Sequence, residues 1–176
     1  SHMTIRRDIV KLESSGKVVS VSGGVQLAQA LHSELSHDAK VEQQADEKVQ
    51  IGKLAATLIG KDATIYLDAG TTSLEIAHQI ADRDDLLVIT NDFSIAGFLM
   101  THSQCELYHT GGKIDRENQS TVGGKVAEFL NGLNIDIAFI STSSWSLKGL
   151  STPNENKVLV KKAIIKAAQT NYLVSD

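Results

Sequence analysis

Cysteine and proline are almost missing from this chain of 176 residues, which carries one of each, Cys105 and Pro153. A lone thiol cannot form a disulfide framework within the chain. No apolar run approaches the roughly 20 residues of a membrane span, and no apolar leader precedes a small-residue cleavage site. A cytoplasmic protein with no membrane partner is therefore expected. Neither G-x-G-x-x-G nor a Walker-type loop is present, which removes the commonest nucleotide-binding signatures. Positive charge is not in excess either. With 17 Lys and Arg against 21 Asp and Glu the net charge is -4, so any contact with nucleic acid has to be local. No internal repeat or low-complexity tract stands out, and no metal or other cofactor is expected. What remains is ordinary globular material, 41% hydrophobic and 22% charged, long enough for one well-buried core and a short appendage.

The appendage stands first. Ile5, Ile9 and Leu12 recur at i, i+4 and i+7, which predicts a short amphipathic helix, with Ser1 placed to cap it and Gly16 to end it. Thr4, Arg6, Arg7 and Lys11 fall away from the apolar stripe and give the helix a basic outer face that suits a major groove. The following KVVSVSGG alternates like a strand running into a turn, with Lys17 available for a phosphate. A solvated terminal helix has the same composition, so these residues by themselves leave both readings open.

Residues 26–40 are rich in Ala, Gln, Ser and His without a period and read as a connector. Three units are thus expected: residues 1–25, the connector at 26–40, and a body over 41–176. In the body, Ile51, Leu54, Ala55, Leu58 and Ile59 match a helix template that Gly60 should stop. The runs ATIYLD, LLVIT, CELYHT, IDIAFIST and NYLVS read as strands. Helical patterns lie between them, at Val122, Val126, Phe129, Leu130 and Leu133, and at Val160, Ala163, Ile164 and Ala167. Such alternation predicts an α/β fold, a mainly parallel sheet flanked by helices.

Ligands of a parallel sheet settle outside the carboxyl ends of its strands. The first strand ends in Asp68-Ala69-Gly70-Thr71-Thr72 and enters a helix directly. Gly70 would let a ligand approach the backbone, and the amides of the helix start, with two hydroxyls, would cradle a phosphate or carboxylate. A threonine-capped turn would produce the same string. Thr90 and Asn91 end the second strand, and Thr110, Gly111, Gly112 and Lys113 the third. Each of these is read equally well as a cap or a turn. Ser141 and Thr142 open a hydroxyl-rich run, Ser141 to Ser144, beside Trp145, on which a sugar face could stack. Then Asn154 and Glu155 start a helix bearing Lys157, Lys161 and Lys162, of which Lys162 is expected to aim at the anion.

Set in order, LDAGTT, VITND, the glycines at 111 and 112, STVG, the I-A-F strand and LVSD resemble the C-terminal effector domain of the DeoR family of transcription regulators. TIRRD followed by V-x-V-x-G-G resembles the recognition helix and wing of that family's winged helix-turn-helix. The resemblance covers nearly the whole chain. It implies a ribose-5-phosphate-isomerase-like sensor over 41–176, cut short at its C-terminal end, behind a remnant of the DNA-binding head at 1–25. It further implies operator DNA as a partner of the intact protein, a homodimer or homotetramer, and a repressor of a carbohydrate or sugar-acid catabolic operon. The effector implied is a phosphorylated sugar, polyol or sugar acid, with Asp68, Gly70, Thr71, Thr72, Thr90 and Asn91 as its contacts. Many members have glycine where Ser141 stands, which points to a different effector, and short sugar acids or their phosphates would fit.

The competing reading is an enzyme, a sugar-phosphate isomerase. Proton transfer between adjacent carbons needs a base within reach of the substrate. Isomerases resembling this fold are acidic where Ser141 to Trp145 stand, and Glu155, placed to favour a helix dipole, is the only nearby carboxylate. A non-enzyme is therefore expected.

Overall fold

The computed structural model describes residues 2–14, 18–21, 24–27, 45–142, 145–146, 149–150, 152 and 154–175. The chain forms two compact units, Ser1–Leu35 and Ser36–Asp176. In the first, helix α1 (His2–Ser14) precedes an antiparallel hairpin of β1 (Val18–Val21) and β2 (Gly24–Leu27), with Val18 opposite Leu27. The helix and first strand lie where the sequence predicts them. The second strand runs through Gln26, where a connector was expected to begin. Thr4, Arg6, Arg7 and Lys11 are all exposed, whereas Ile9 is partly covered. Lys17 and most of the expected connector lie outside the described residues.

The second unit is built on five strands: β3 (Thr64–Leu67), β4 (Leu87–Thr90), β5 (Glu106–His109), β8 (Ile135–Ser141) and β11 (Ala168–Val174). They pair in the order β11-β8-β3-β4-β5, and every pairing is parallel. This parallel arrangement requires crossovers, and four helices supply them, α3 (Thr71–Gln79), α4 (Phe93–His102), α5 (Gly124–Asn131) and α6 (Glu155–Ala167), while α2 (Ala45–Thr57) precedes β3. A hairpin of β6 (Lys113–Asp115) and β7 (Ser120–Val122) follows β5, and the two-residue strands β9 (Trp145–Ser146) and β10 (Gly149–Leu150) pair beyond β8.

Alternation along the strands divides the core. Ile65, Leu67, Val88 and Phe139 pack with Ala55, Ile76, Ala77, Ile95 and Leu99 from α2, α3 and α4. Tyr66, Ile89, Ala138 and Ile140 point the other way, onto Val126 and Leu130 of α5 and Val160, Ala163 and Ile164 of α6. The sheet is therefore covered on both faces, as parallel sheets require.

Two sequence readings need correction. Leu54 and Leu58, read as part of the buried stripe of α2, are 66% and 40% exposed; the buried side chains of that helix are Lys48 and Ala55, and Gly52 is buried with them. The reason is the close approach of α2 to α3. A Cβ on Gly52 would stand 2.8 Å from the backbone oxygen of Glu75, so the helix face turned inward is the one carrying glycine. Val122, read as the start of a helix, belongs instead to β7.

At the end of β5, His109 stacks on Phe93 with ring centroids 4.6 Å apart, and its Nδ1 accepts the amide hydrogen of Gly111 at 3.1 Å. Burial holds the imidazole below its usual value of 6.5, only partly offset by the backbone carbonyl of Asn91.

Two predictions follow from this packing. Gly52→Ala should cost about 1–3 kcal/mol by overpacking, whereas Gly97→Ala, in α4 with open space around its Cβ position, should stabilise by about 0.5–1 kcal/mol; urea denaturation of both variants checks the contrast. For His109, a folded pKa below the unfolded one means the unfolded chain binds the extra proton, so stability should fall as pH drops below about 6.5. Melting temperature measured between pH 7 and 5 should show that decline, and His109→Gln should flatten it.

Candidate functional site

The carboxyl ends of β3, β4 and β8 converge on the turn that joins β3 to α3. Gly70 occupies that turn with φ of 152°, a conformation that favours glycine, and a Cβ there would come within 3.1 Å of Ser141 Oγ. Helix α3 then begins with Thr71, Thr72 and Ser73, all buried, and no side chain caps it. The Ser73 hydroxyl is fully buried and has no hydrogen-bond partner. An uncapped helix start offers amide donors and the positive end of the helix dipole.

The end of β4 supplies the residues that fix this turn. Asn91 is 3% exposed, and each end of its amide is used. Its Oδ1 accepts from the Tyr66 hydroxyl at 2.9 Å and from the Ala69 amide at 3.1 Å, while Nδ2 donates to the Thr121 carbonyl at 2.9 Å. Asp92, fully buried, divides its carboxylate between two segments. Oδ1 accepts from the amides of Ser94 and Ile95 at 2.7 and 2.9 Å and so caps α4; Oδ2 accepts from the Gly70 amide at 3.1 Å. Thr90 donates its hydroxyl to the Leu67 carbonyl at 2.8 Å and accepts from the Asp92 amide. Thr90 and Asn91 thus hold the scaffold with the groups a ligand would otherwise use.

A charged pair closes the β8 side. Lys161, from α6, donates to Asp68 Oδ2 at 2.5 Å and to the Ser141 carbonyl at 2.6 Å. Ser141 donates its amide to Asp68 Oδ2 at 3.2 Å and its hydroxyl to the Ala69 carbonyl at 2.6 Å. Burial pushes the Tyr66 hydroxyl well above its ordinary pKa, and the charges of Asp68 and Asp92 push it further the same way. The hydroxyl therefore stays protonated and remains a donor to Asn91.

The structure brings together Asp68, Gly70, Thr71, Thr72, Thr90, Asn91 and Ser141. Thr142 follows Ser141 and is half-buried. Gly111, Gly112 and Lys113 are exposed on the approach to the β6–β7 hairpin, where Gly112 lies against Val126; no hydrogen bond joins them to the Asp68 cluster. Glu155 is exposed at the start of α6. Lys162 is exposed too, and Lys161 is the lysine that reaches the strand ends. Helix geometry explains the correction. At about 100° per residue, Val160, Ala163, Ile164 and Ala167 define the buried face, and Lys161 falls on its flank whereas Lys162 points nearly opposite. Applied to the sequence, that arithmetic sets Lys162 aside and leaves Lys157 and Lys161; in the structure Lys157 lies by Asp115 and Lys161 by Asp68. Asp92, Tyr66 and Thr121 carry no comparable signal. Ser143, Ser144 and the Trp145 side chain lie outside the described residues. Among the described residues, no group of three or more His, Cys, Asp or Glu could hold a metal ion, and no helix is long and apolar enough to cross a membrane.

Comparison with known proteins places this site in a family. The DeoR C terminal sensor domain matches residues 43–176, and the DeoR-like helix-turn-helix domain matches residues 1–30. An uncharacterized HTH-type transcriptional regulator of Haemophilus influenzae is 62% identical over 176 residues, covering all of this chain and 69% of its own length. The HTH-type transcriptional repressor GlcR of Bacillus subtilis is 32% identical, covering all of this chain and 68% of itself. More distant is the glycerol-3-phosphate regulon repressor of Escherichia coli, 27% identical over 177 aligned residues. Among solved structures, ribose 5-phosphate isomerase A of Methanocaldococcus jannaschii superposes with a TM-score of 0.52 at 16% identity, over 74% of this chain and 52% of that one. That likeness shows the isomerase-like fold and no more. With both domains of one family matched in order, and regulators among its relatives, the chain belongs to the DeoR family of DNA-binding transcriptional regulators and is not an enzyme.

Proposed function

We propose that the protein represses a carbohydrate or sugar-acid catabolic operon and that its second unit senses a phosphorylated sugar, polyol or sugar acid at the strand ends. The observation that carries the reading is the uncapped, buried first turn of α3, beside the Asp68–Lys161 pair. Donors of a helix start suit a phosphate or carboxylate, and the neighbouring carboxylate suits hydroxyls. The names of two relatives, a repressor and a glycerol-3-phosphate regulon repressor, agree with this assignment.

The intact regulator, on this reading, is a cytoplasmic homodimer or homotetramer that meets operator DNA through α1 and its hairpin. Thr4, Arg6, Arg7 and Lys11 are the side chains proposed to face DNA, with Lys17 beside them. Residues 1–25 act as the reader, 26–40 as connector and 41–176 as sensor. Effector binding stabilises one arrangement of the subunits and so alters how the readers are presented. Dimeric readers meet half-sites whose spacing mirrors the protein symmetry.

The test removes one amide together with the hydroxyl of the same residue, both of which the reading assigns to the anion. Thr71 is the first residue of α3, a position where proline is tolerated, and Thr71→Pro deletes its N–H. Glycerol 3-phosphate, ribose 5-phosphate and 4-phosphoerythronate are screened by thermal shift. A true effector at a hundredfold excess over Kd should add about 2.7 kcal/mol, or roughly 5–10 °C in Tm. Thr71→Pro should keep the unliganded Tm within about 2 °C and lose the shift. A shift that survives in the variant places the anion elsewhere.

A further inference from the structure

The Asp68 carboxylate is used on one side only. Among the described residues, each bond to it falls on Oδ2: the Ser141 amide at 3.2 Å, the Ser141 hydroxyl at 3.4 Å and the Lys161 ammonium at 2.5 Å. Oδ1 takes none. The side chain is only 5% exposed, and Oδ1 is left as its unused acceptor among the described residues, three residues before Thr71 opens α3.

Lys161 produces this asymmetry. Its ammonium sits between Asp68 Oδ2 and the Ser141 carbonyl, with a side chain 20% exposed, on a helix anchored through Val160, Ala163 and Ile164. Held at both points, it fixes the carboxylate plane, ties β3 to β8 and places a counter-charge beside Asp68 in a nearly closed place. An ionised oxygen that is already neutralised by a neighbour gains little from a second cation and repels an anion. What it accepts well is a neutral hydroxyl, through a short charge-assisted bond.

We propose that Lys161 is a positioning residue for the effector: it locks Asp68 Oδ2 inward and presents Oδ1 as a fixed acceptor for a hydroxyl on the effector. The class of effector selected is then a hydroxylated phosphate ester rather than any small anion. This rests on the sensor reading above, with the phosphate at the start of α3 and the hydroxyl two or three bonds away at Asp68.

Calorimetric titration of the whole chain tests it with paired probes: glycerol 3-phosphate against propyl phosphate, ribose 5-phosphate against 2-deoxyribose 5-phosphate, and inorganic phosphate alone. The wild type should bind the hydroxylated member of at least one pair about tenfold or more tightly than its partner, the value expected of one hydrogen bond to a charged group. Lys161→Met should erase that preference and, by leaving the Asp68 charge unanswered, also weaken inorganic phosphate; the double variant Asp68→Asn, Lys161→Met should restore phosphate to within about twofold of the wild type without restoring the preference. Lys161→Arg, which keeps charge and reach, should retain it. Asp68→Asn, in case the methionine variant folds poorly, should lose the preference while binding inorganic phosphate at least as well as the wild type. A preference that survives both Lys161→Met and Asp68→Asn overturns the proposal and leaves the sensor reading standing. A loss of inorganic phosphate binding that persists in the double variant, where no Asp68 charge remains, makes Lys161 the anion ligand and overturns it as well. If the wild type binds none of the probes, the sensor reading falls and this inference falls with it.

Discussion

Two adjacent side chains at the end of β4, Asn91 and Asp92, hold backbone that no sheet ladder reaches. Asn91 joins the β3–α3 turn to the β6–β7 hairpin through Ala69 and Thr121, and Asp92 joins the same turn to the start of α4 through Gly70. Buried polar groups of this kind are costly unless every one of them is paired. Here they are paired with main chain, so the turn before α3 has one geometry. A glycine at the N-cap of α3 is part of that geometry, with Asp92 divided between the Gly70 amide and the start of α4.

The same arrangement explains how a site with two carboxylates can attract an anion. Asp92 is answered by three amides and Asp68 by an ammonium and an amide. Neither charge is left bare toward the first turn of α3. On the inner face of the sheet the Tyr66 phenol pKa is raised chiefly by its burial and further by the charges of Asp68 and Asp92. At the strand ends stand a helix start and the second oxygen of Asp68. A phosphate with a nearby hydroxyl is complementary to that set. An isomerase would need a base free to move a proton, and Asp68, clamped on one oxygen by Lys161, is held as an acceptor.

Much of the body could be read from the chain because strand and helix periods are carried by different residues. Ile65, Leu67, Val88 and Phe139 alternate with Tyr66, Ile89, Ala138 and Ile140, and that alternation, with helices between, defines a covered parallel sheet. The strand ends are legible as a polar cluster around Gly70, although a capped turn would give the same string. What escaped was contact at long sequence separation. Nothing local in α2 reveals that Gly52 meets Glu75, so the exposed Leu54 and Leu58 were read as core. Nothing near β4 reveals that Asn91 spends its amide on Tyr66 and Thr121. The choice between Lys161 and Lys162 is within reach of helix geometry, since Lys162 lies nearly opposite the buried face of α6.

The central claim is that an anionic effector sits on the first turn of α3, and amide chemical shifts measured by NMR during titration of the chain with its tightest-binding phosphate ester test it most directly. The account predicts the largest changes at Gly70, Thr71, Thr72 and Ser73, smaller ones at Asp68 and Ser141, and little at β5 or along α1. Changes centred on Gly111 to Lys113 or on Glu155, with Gly70 to Ser73 unmoved, would contradict it.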